Sequence, residues 1–542
     1  MRCLPILIVV AGLASPWNAA AGDLLPADST VEGAIDHYIR ATLVERQLAA
    51  APRADGQTLL RRWSLDLAGR VPTLAESEAF QALSPSERPV ATVDRLLASP
   101  DAAFHLRNEL DVLLLPDGKS SDEWRQYLLR ACQENRPWDR MFSEMLIGKE
   151  DDPAVRGATQ YLRSRATELD DVTNETSRLF FGVAISCAKC HDHPLVDDWK
   201  QDHYFGLASF FNRLYVTRSR HVGERASGDV KFKTTAGLEK PAKVMFLTGT
   251  VVDEPALDRT AEQNKAEDEL VRNLQQKDDQ GLPPEPEFSR LRQLVDVALR
   301  DENQRFFARS IVNRIWDRLM GRGLVHPVDQ MHSENPASHP ELLDWLERDL
   351  VTHGYDLRRL IRGIVLSEAY ARESVWQGEG DAPDPEWFAV AATRPLTPRQ
   401  LSLSLQIAAM NPRDVAGAQA DPTWGPRRQQ LENQSFGLAR ELELPGENFQ
   451  VGVSEALLFT NSQRIQNEYL RDSGDRLVSQ LKGLPPGESV PLAFRVVLAR
   501  QPDAAEQAAF AQYLHDRADR PVPATQQLVW ALLTSPEFRF NH

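Results

Sequence analysis

"LRQLVDVALRDENQRFFARSIVNRIWDRLMGRG", residues 291–323, sets the fold class. Its apolar residues recur three and four apart: Leu291, Leu294, Val295 and Ala298, then Ile311, Ile315 and Leu319. That period is helical, and Gly321 or Gly323 can close the second helix. Downstream, "SHPELLDWLERDL" offers Ser338 and Glu341 as a capping box, with Pro340 in the first turn where its missing N–H costs nothing. Asp356 and Thr397 stand as N-caps before "LRRLIRGIVLSEAY" and "PRQLSLSLQIAAM". Upstream the same rhythm runs from about residue 28 to 212, for example Ile35, Ile39 and Leu43, then Val93, Leu96 and Leu97.

Residues 213–287 break the rhythm. "DVKFKTTAGLEKPAKVMFLTGTVVDE" carries β-branched and aromatic residues between Gly and Pro, which predicts a short hairpin. A charged helix and the Pro-rich "QGLPPEPEF" follow it. The chain therefore reads as mainly α. Two helical domains, 28–212 and 288–540, are joined by a hairpin and a charged, Pro-rich connector at 213–287. No fixed repeat period and no strand–helix alternation occur.

Charge and the N-terminus narrow the function classes. The 542 residues carry a net charge of −16, without a basic stripe interleaved with aromatics, so nucleic-acid binding is set aside. "MRCLPILIVVAGLASPWNAAAG" places Arg2 before an apolar run from Leu4 to Leu13, and small residues follow from Ala19 to Gly22. This pattern predicts a signal peptide over residues 1–21. The expected product is secreted, periplasmic or held at the cell surface, with no transmembrane helix after cleavage.

Four cysteines occur, Cys3, Cys132, Cys187 and Cys190. Cys3 would leave with the leader, and Cys132, in a helical stretch, reads as a buried small residue. The remaining pair lies in "FFGVAISCAKCHDHPLVDDWKQDHYFGLASFF", residues 180–211. C-x-x-C-H is the spacing of haem c attachment. Two thiols three apart reach the two porphyrin vinyl groups, and the adjoining imidazole lies under the iron. Cys187 and Cys190 are thus the candidate thioether residues and His191 the candidate axial ligand. Asp192 and His193 are candidate neighbours or further metal ligands. Asp197 and Asp198 are expected to cap the next helix. Candidates for a sixth ligand are His203, Met245, Met331 and His339.

Two other readings use the same residues. The C-H-D-H cluster can hold zinc or non-haem iron, or merely staple an exported protein that recognises a partner or glycan. Alternatively Asp192, His193 and His339 gather on one ion in a metal-dependent hydrolase. In the second domain, Arg309, Asn313, Arg314, Trp316, Arg322 and His339 are the polar candidates. Asn313, Arg314 and Trp316 at helical spacing fit packing and salt bridging better than catalysis.

The stretches "LLRRWSLDLAGRVPT", "DRLLASP", the C-A-K-C-H segment, "FFARSIVNRIWDRLMGRGLVHPVDQ", "NPASHPELLDWL" and "LRRLIRGIVLSEAY" together resemble the paired planctomycete-specific cytochrome (PSCyt) and PSD domains of secreted proteins, both domains of unknown function. The resemblance covers nearly the whole mature chain and implies a cytochrome-like first domain around Cys187, Cys190, His191, Asp192 and His193. It implies a redox partner protein or an extracellular polysaccharide-related partner, and it names no reaction. The chain departs from the family pattern at Gln330, Met331 and His203, so ligand roles for Met331 and His203 do not carry over.

Overall fold

The computed structural model describes residues 24–115, 120–149, 151–193, 196–256, 259–277, 281–415, 423–442, 458–459 and 463–542. The leader expected over 1–21 lies outside them. The protein is mainly α, as the spacing predicts. The 291–323 stretch forms helices Arg290–Ala298 and Gln304–Met320, and Gly321 closes the second at φ 80°, a left-handed position that glycine takes without steric cost. Asp356 caps Leu357–Leu366 by accepting the Arg359 N–H, and Thr397 forms a full capping box with Gln400.

The Ser338–Glu341 box does not form. His339 takes the N-cap position of Pro340–Thr352 without a side-chain cap. Ser338 is spent elsewhere: its N–H donates to the Leu324 carbonyl, and its hydroxyl lies 3.0 Å from His339 Nδ1. A tertiary contact has overridden a local signal.

Residues 213–287 hold two short antiparallel hairpins. Leu214–Val216 pairs with Val222–Glu224, and Lys231–Lys233 pairs with Glu239–Pro241. The second falls within the predicted hairpin stretch. The charged helix after it is Ala261–Gln276, capped by Thr260 and Gln263. Among the described residues no helix is long and apolar enough to cross a membrane.

Apolar packing crosses the connector. One hydrophobic core runs from Val31 to Ala389 and takes residues from both sides of 213–287. Helix Val31–Glu45 packs on Pro340–Thr352 and Leu357–Leu366, so closely that a Cβ on Gly363 would meet Val31. A second core spans Leu396–Phe538 and receives Leu65 and Val71 from the N-terminal half.

Between those halves lies a buried ionic cluster. Arg70 bonds Glu76 at 2.8 Å and Asp101 at 2.7 Å. Arg428 lies 2.9 Å from both Asp101 and Glu432, and Trp424 Nε1 donates to Asp101 at 2.8 Å. Arg107 also pairs with Glu432. The charges survive burial because each has an opposite partner in contact.

Candidate functional site: the Cys187–His191 turn

The turn is held from behind by helix Gln304–Met320. Ser310 Oγ donates to the Leu179 carbonyl at 3.1 Å, and Arg314 donates to the Arg178 carbonyl at 2.5 Å. Both carbonyls belong to the last turn of Leu169–Phe181, where no intrahelical N–H remains for them. Asn313 brackets Val325 with a pair of hydrogen bonds, and Trp316 is fully buried against Phe388. Arg309 pairs with Asp344 and Glu347. These side chains shape and support; Arg322 stands half-exposed at the end of the same helix.

Helix Leu169–Phe181 ends at Gly182, φ 70°. A side chain there would be strained, and its Cβ would lie 2.7 Å from Met331 Sδ. The chain then runs beside residues 329–331. Ala184 N donates to Asp329 O at 2.8 Å, Met331 N donates to Gly182 O at 3.1 Å, and Val183 bridges Gln330. From this short ladder the backbone enters a 3₁₀ turn, Ser186–Lys189. Ile185 and Ala188 are buried and anchor it, which turns Cys187, Cys190 and His191 outward.

Both thiols are free and exposed, whereas Cys132 is buried in helix Asp122–Gln133 and its thiol is pushed up to about 12 by burial. Lys189 pairs with Asp170, which also accepts the Tyr204 hydroxyl at 2.6 Å. His191 Nδ1 lies 2.7 Å from the Asp192 carbonyl. A carbonyl only accepts, so Nδ1 carries the proton in the neutral ring and Nε2 keeps its lone pair. In that tautomer Nε2 is the nitrogen available to a metal ion.

The rest of the C-H-D-H stretch is tied down. Asp192 Oδ1 accepts the Gln201 N–H at 2.9 Å, at the start of helix Gln201–Ala208, and His193 N donates to Trp199 O at 2.8 Å. Asp192 therefore serves that helix end, the role expected of Asp197 and Asp198. Asp198 instead accepts Ser333 N at 2.7 Å and Ser333 Oγ at 3.1 Å. The adjoining Trp199 is buried. Gln201 Nε2 reaches the Lys189 carbonyl at 3.3 Å and joins the turn to its helix. Asp170 and Gln201 were not singled out by motif. Only the i, i+19 contact of Asp170 with Lys189 in three dimensions brings the first into view.

The sixth-ligand candidates are engaged in packing. His203 Nδ1 accepts Lys200 N at 3.1 Å, and burial holds the ring below its usual pKa. Met245 bridges Val251 and packs on Gly206. Met331 is buried against Gly182. His339 is enclosed by Ser338, Trp387 and Phe388, and burial lowers it to about 4. His339 is thus placed with aromatic partners rather than with Asp192 and His193. Among the described residues no group of three or more His, Cys, Asp and Glu side chains is arranged to hold a metal ion.

Cys187, Cys190 and His191 thus stand exposed on one short turn, anchored by the buried Ile185 and Ala188.

Comparison with known families gives two matches. The PSCyt2 family, proteins of unknown function (DUF1549), matches residues 34–215. The PSD1 family, proteins of unknown function (DUF1553), matches residues 290–448. No curated protein and no solved structure gives a significant match to the chain. The two family matches together cover more than half of the 542 residues, in the order read from the sequence. The chain belongs to the family of proteins that pair a PSCyt2 domain with a PSD1 domain.

Proposed function

We propose that the protein is a secreted, periplasmic or cell-surface c-type cytochrome-like protein that binds one haem covalently and serves electron transfer or haem-based redox chemistry. Cys187 and Cys190 would hold the group, and His191 would ligate its iron. The observation that carries this reading is the pair of free, exposed thiols on one turn with an outward imidazole, in a chain whose third mature cysteine is buried. When bound, the haem would supply a one-electron couple. The chain's own part is positional. The Asp192 carbonyl orients the His191 ring, and the 182–184 ladder with helix Gln304–Met320 backs the turn.

The test is expression of the exported chain with a cytochrome c maturation system. A reduced α-band that resists acid–acetone extraction, and haem staining on a denaturing gel, are expected. Cys187→Ala with Cys190→Ala abolishes both. Correctly exported protein that never stains overturns the reading.

A second reading is favoured by the bonds of Asp192 to the start of the next helix and of His193 to Trp199 just ahead of it, which staple the loop through the chain's own groups. Here the C-H-D-H stretch is structural, or binds zinc or non-haem iron, in a partner- or glycan-recognising protein. Colourless material, analysed for stoichiometric metal, separates these cases.

A further inference from the structure

A second candidate site lies in the C-terminal core. It is a cleft of about 750 Å³ between helix Trp424–Ala439, the end of Pro398–Ala408 and residues 464–476. Four arginines line it, Arg427, Arg464, Arg471 and Arg476, against two carboxylates, Glu468 and Asp475. In a chain of net charge −16 this is a local reversal of sign.

The pairing inside the cleft leaves two guanidinium groups over. Arg464 is neutralised by Glu441 at 2.9 Å and Glu468 at 3.1 Å. Arg471 holds Asp475 at 2.5 Å. Arg427 has no ion pair among the described residues and is only half-buried. Arg476 is 7 % exposed, yet its Nε and Nη1 have no hydrogen-bond partner; its nearest carboxylate, the already engaged Asp475, is 3.5 Å away. A buried guanidinium with unmet donors is costly unless an oxyanion completes it. Burial also holds Arg476 below the usual arginine pKa, as expected of a cation short of counter-charge. Gln406, Gln430 and Gln434 add neutral donors and acceptors along the wall.

We propose that this cleft binds a small oxyanion-bearing ligand, a carboxylate or a phosphate or sulfate ester, clamped between Arg427 and Arg476 and oriented by the glutamines. Planar guanidinium forks match such groups in bidentate geometry, which ammonium groups do not. The site is independent of the thiol turn. Its residues belong to or flank the second core, and among the described residues neither core assignment nor hydrogen bonding links them to residues 186–193.

The test is isothermal titration of the full exported chain with citrate, inorganic phosphate and sulfate as probes, at fixed ionic strength. Saturable binding of at least one probe is expected. Citrate alone identifies carboxylate recognition, whereas phosphate or sulfate alone identifies a tetrahedral group. Arg427→Gln should weaken binding about tenfold or more with the melting temperature unchanged. Arg272→Gln, which removes the same charge from the exposed face of helix Ala261–Gln276, should leave affinity as it was. Arg476→Lys retains charge but loses the fork, and is expected to weaken binding as well. No saturable binding of any probe, equal affinity in the wild type and Arg427→Gln, or an equal loss in Arg272→Gln overturns the proposal.

Discussion

Around Asp101, two arginines and a tryptophan converge on one carboxylate that solvent does not reach. Around His191, by contrast, the imidazole and both neighbouring thiols face water, and the turn's ion pair, Lys189–Asp170, is itself about half exposed. The buried charges around Asp101 are therefore scaffold, whereas the thiols and imidazole of the turn stand exposed. Perturbed ionisation marks Arg70, Glu76 and Glu432, and of that cluster it is Arg428 with Asp101 and Glu432 with Arg107 that join the two halves of the chain. Accessibility and chemistry lead to Cys187, Cys190 and His191.

Substitution tests that contrast directly. Asp101→Asn leaves Arg70 and Arg428 facing a neutral group in a dry interior, and should cost about 3–5 kcal/mol in equilibrium denaturation. If the loss were under about 1 kcal/mol, the cluster would not be what holds the halves together.

Acid should reveal the same cluster. Burial pushes the Glu76 carboxyl up, but Arg70's charge and hydrogen bonds outweigh it and hold the group at about 2, below its usual 4.5. The folded pKa is depressed, so this stabilisation is fully present above about pH 4.5 and is lost as pH falls toward 2. The pair accounts for about 3 kcal/mol over that window. Melting temperature followed through the acid range should fall less steeply in Glu76→Gln than in the wild type.

At the turn the expected effects are smaller. Asp192→Ala removes a helix-start acceptor from Gln201 and should cost about 1 kcal/mol by urea denaturation. Cys187→Ser should change stability by less than about 0.5 kcal/mol. In protein made without haem, native alkylation followed by mass spectrometry should modify Cys187 and Cys190 while Cys132, with its thiol raised to about 12, reacts only after unfolding. Protection of the exposed pair would erase the contrast.

These outcomes follow the boundary between what was legible in the chain and what was not. Helical period placed Leu291–Ala298 and Ile311–Leu319, and local chemistry placed the caps at Asp356 and Thr397, because both signals act within a few residues. The thiol turn was legible as a motif, and the buried state of Cys132 as composition on a helix. Ser338 and Asp198 depart from the caps that local chemistry predicts because their partners, Leu324 and Ser333, are chosen by the tertiary fold, as is the Gln201 N–H that Asp192 accepts. The Arg107–Glu432 contact was invisible for the same reason: charge in a sequence does not announce its distant counterpart. Nor did the apolar spacing on either side of 213–287 reveal that one core takes from both.

That shared core dictates an order of events during synthesis. Helix Val31–Glu45 emerges early, but the surfaces that cover its apolar stripe, Pro340–Thr352 and Leu357–Leu366, are made much later. The nascent N-terminal half must wait with greasy faces uncovered, and it depends on a chaperone or on its own transient collapse until residues near 366 arrive. A protein truncated inside the hairpin region would inherit that exposure permanently, and should appear as aggregate rather than as a smaller working unit.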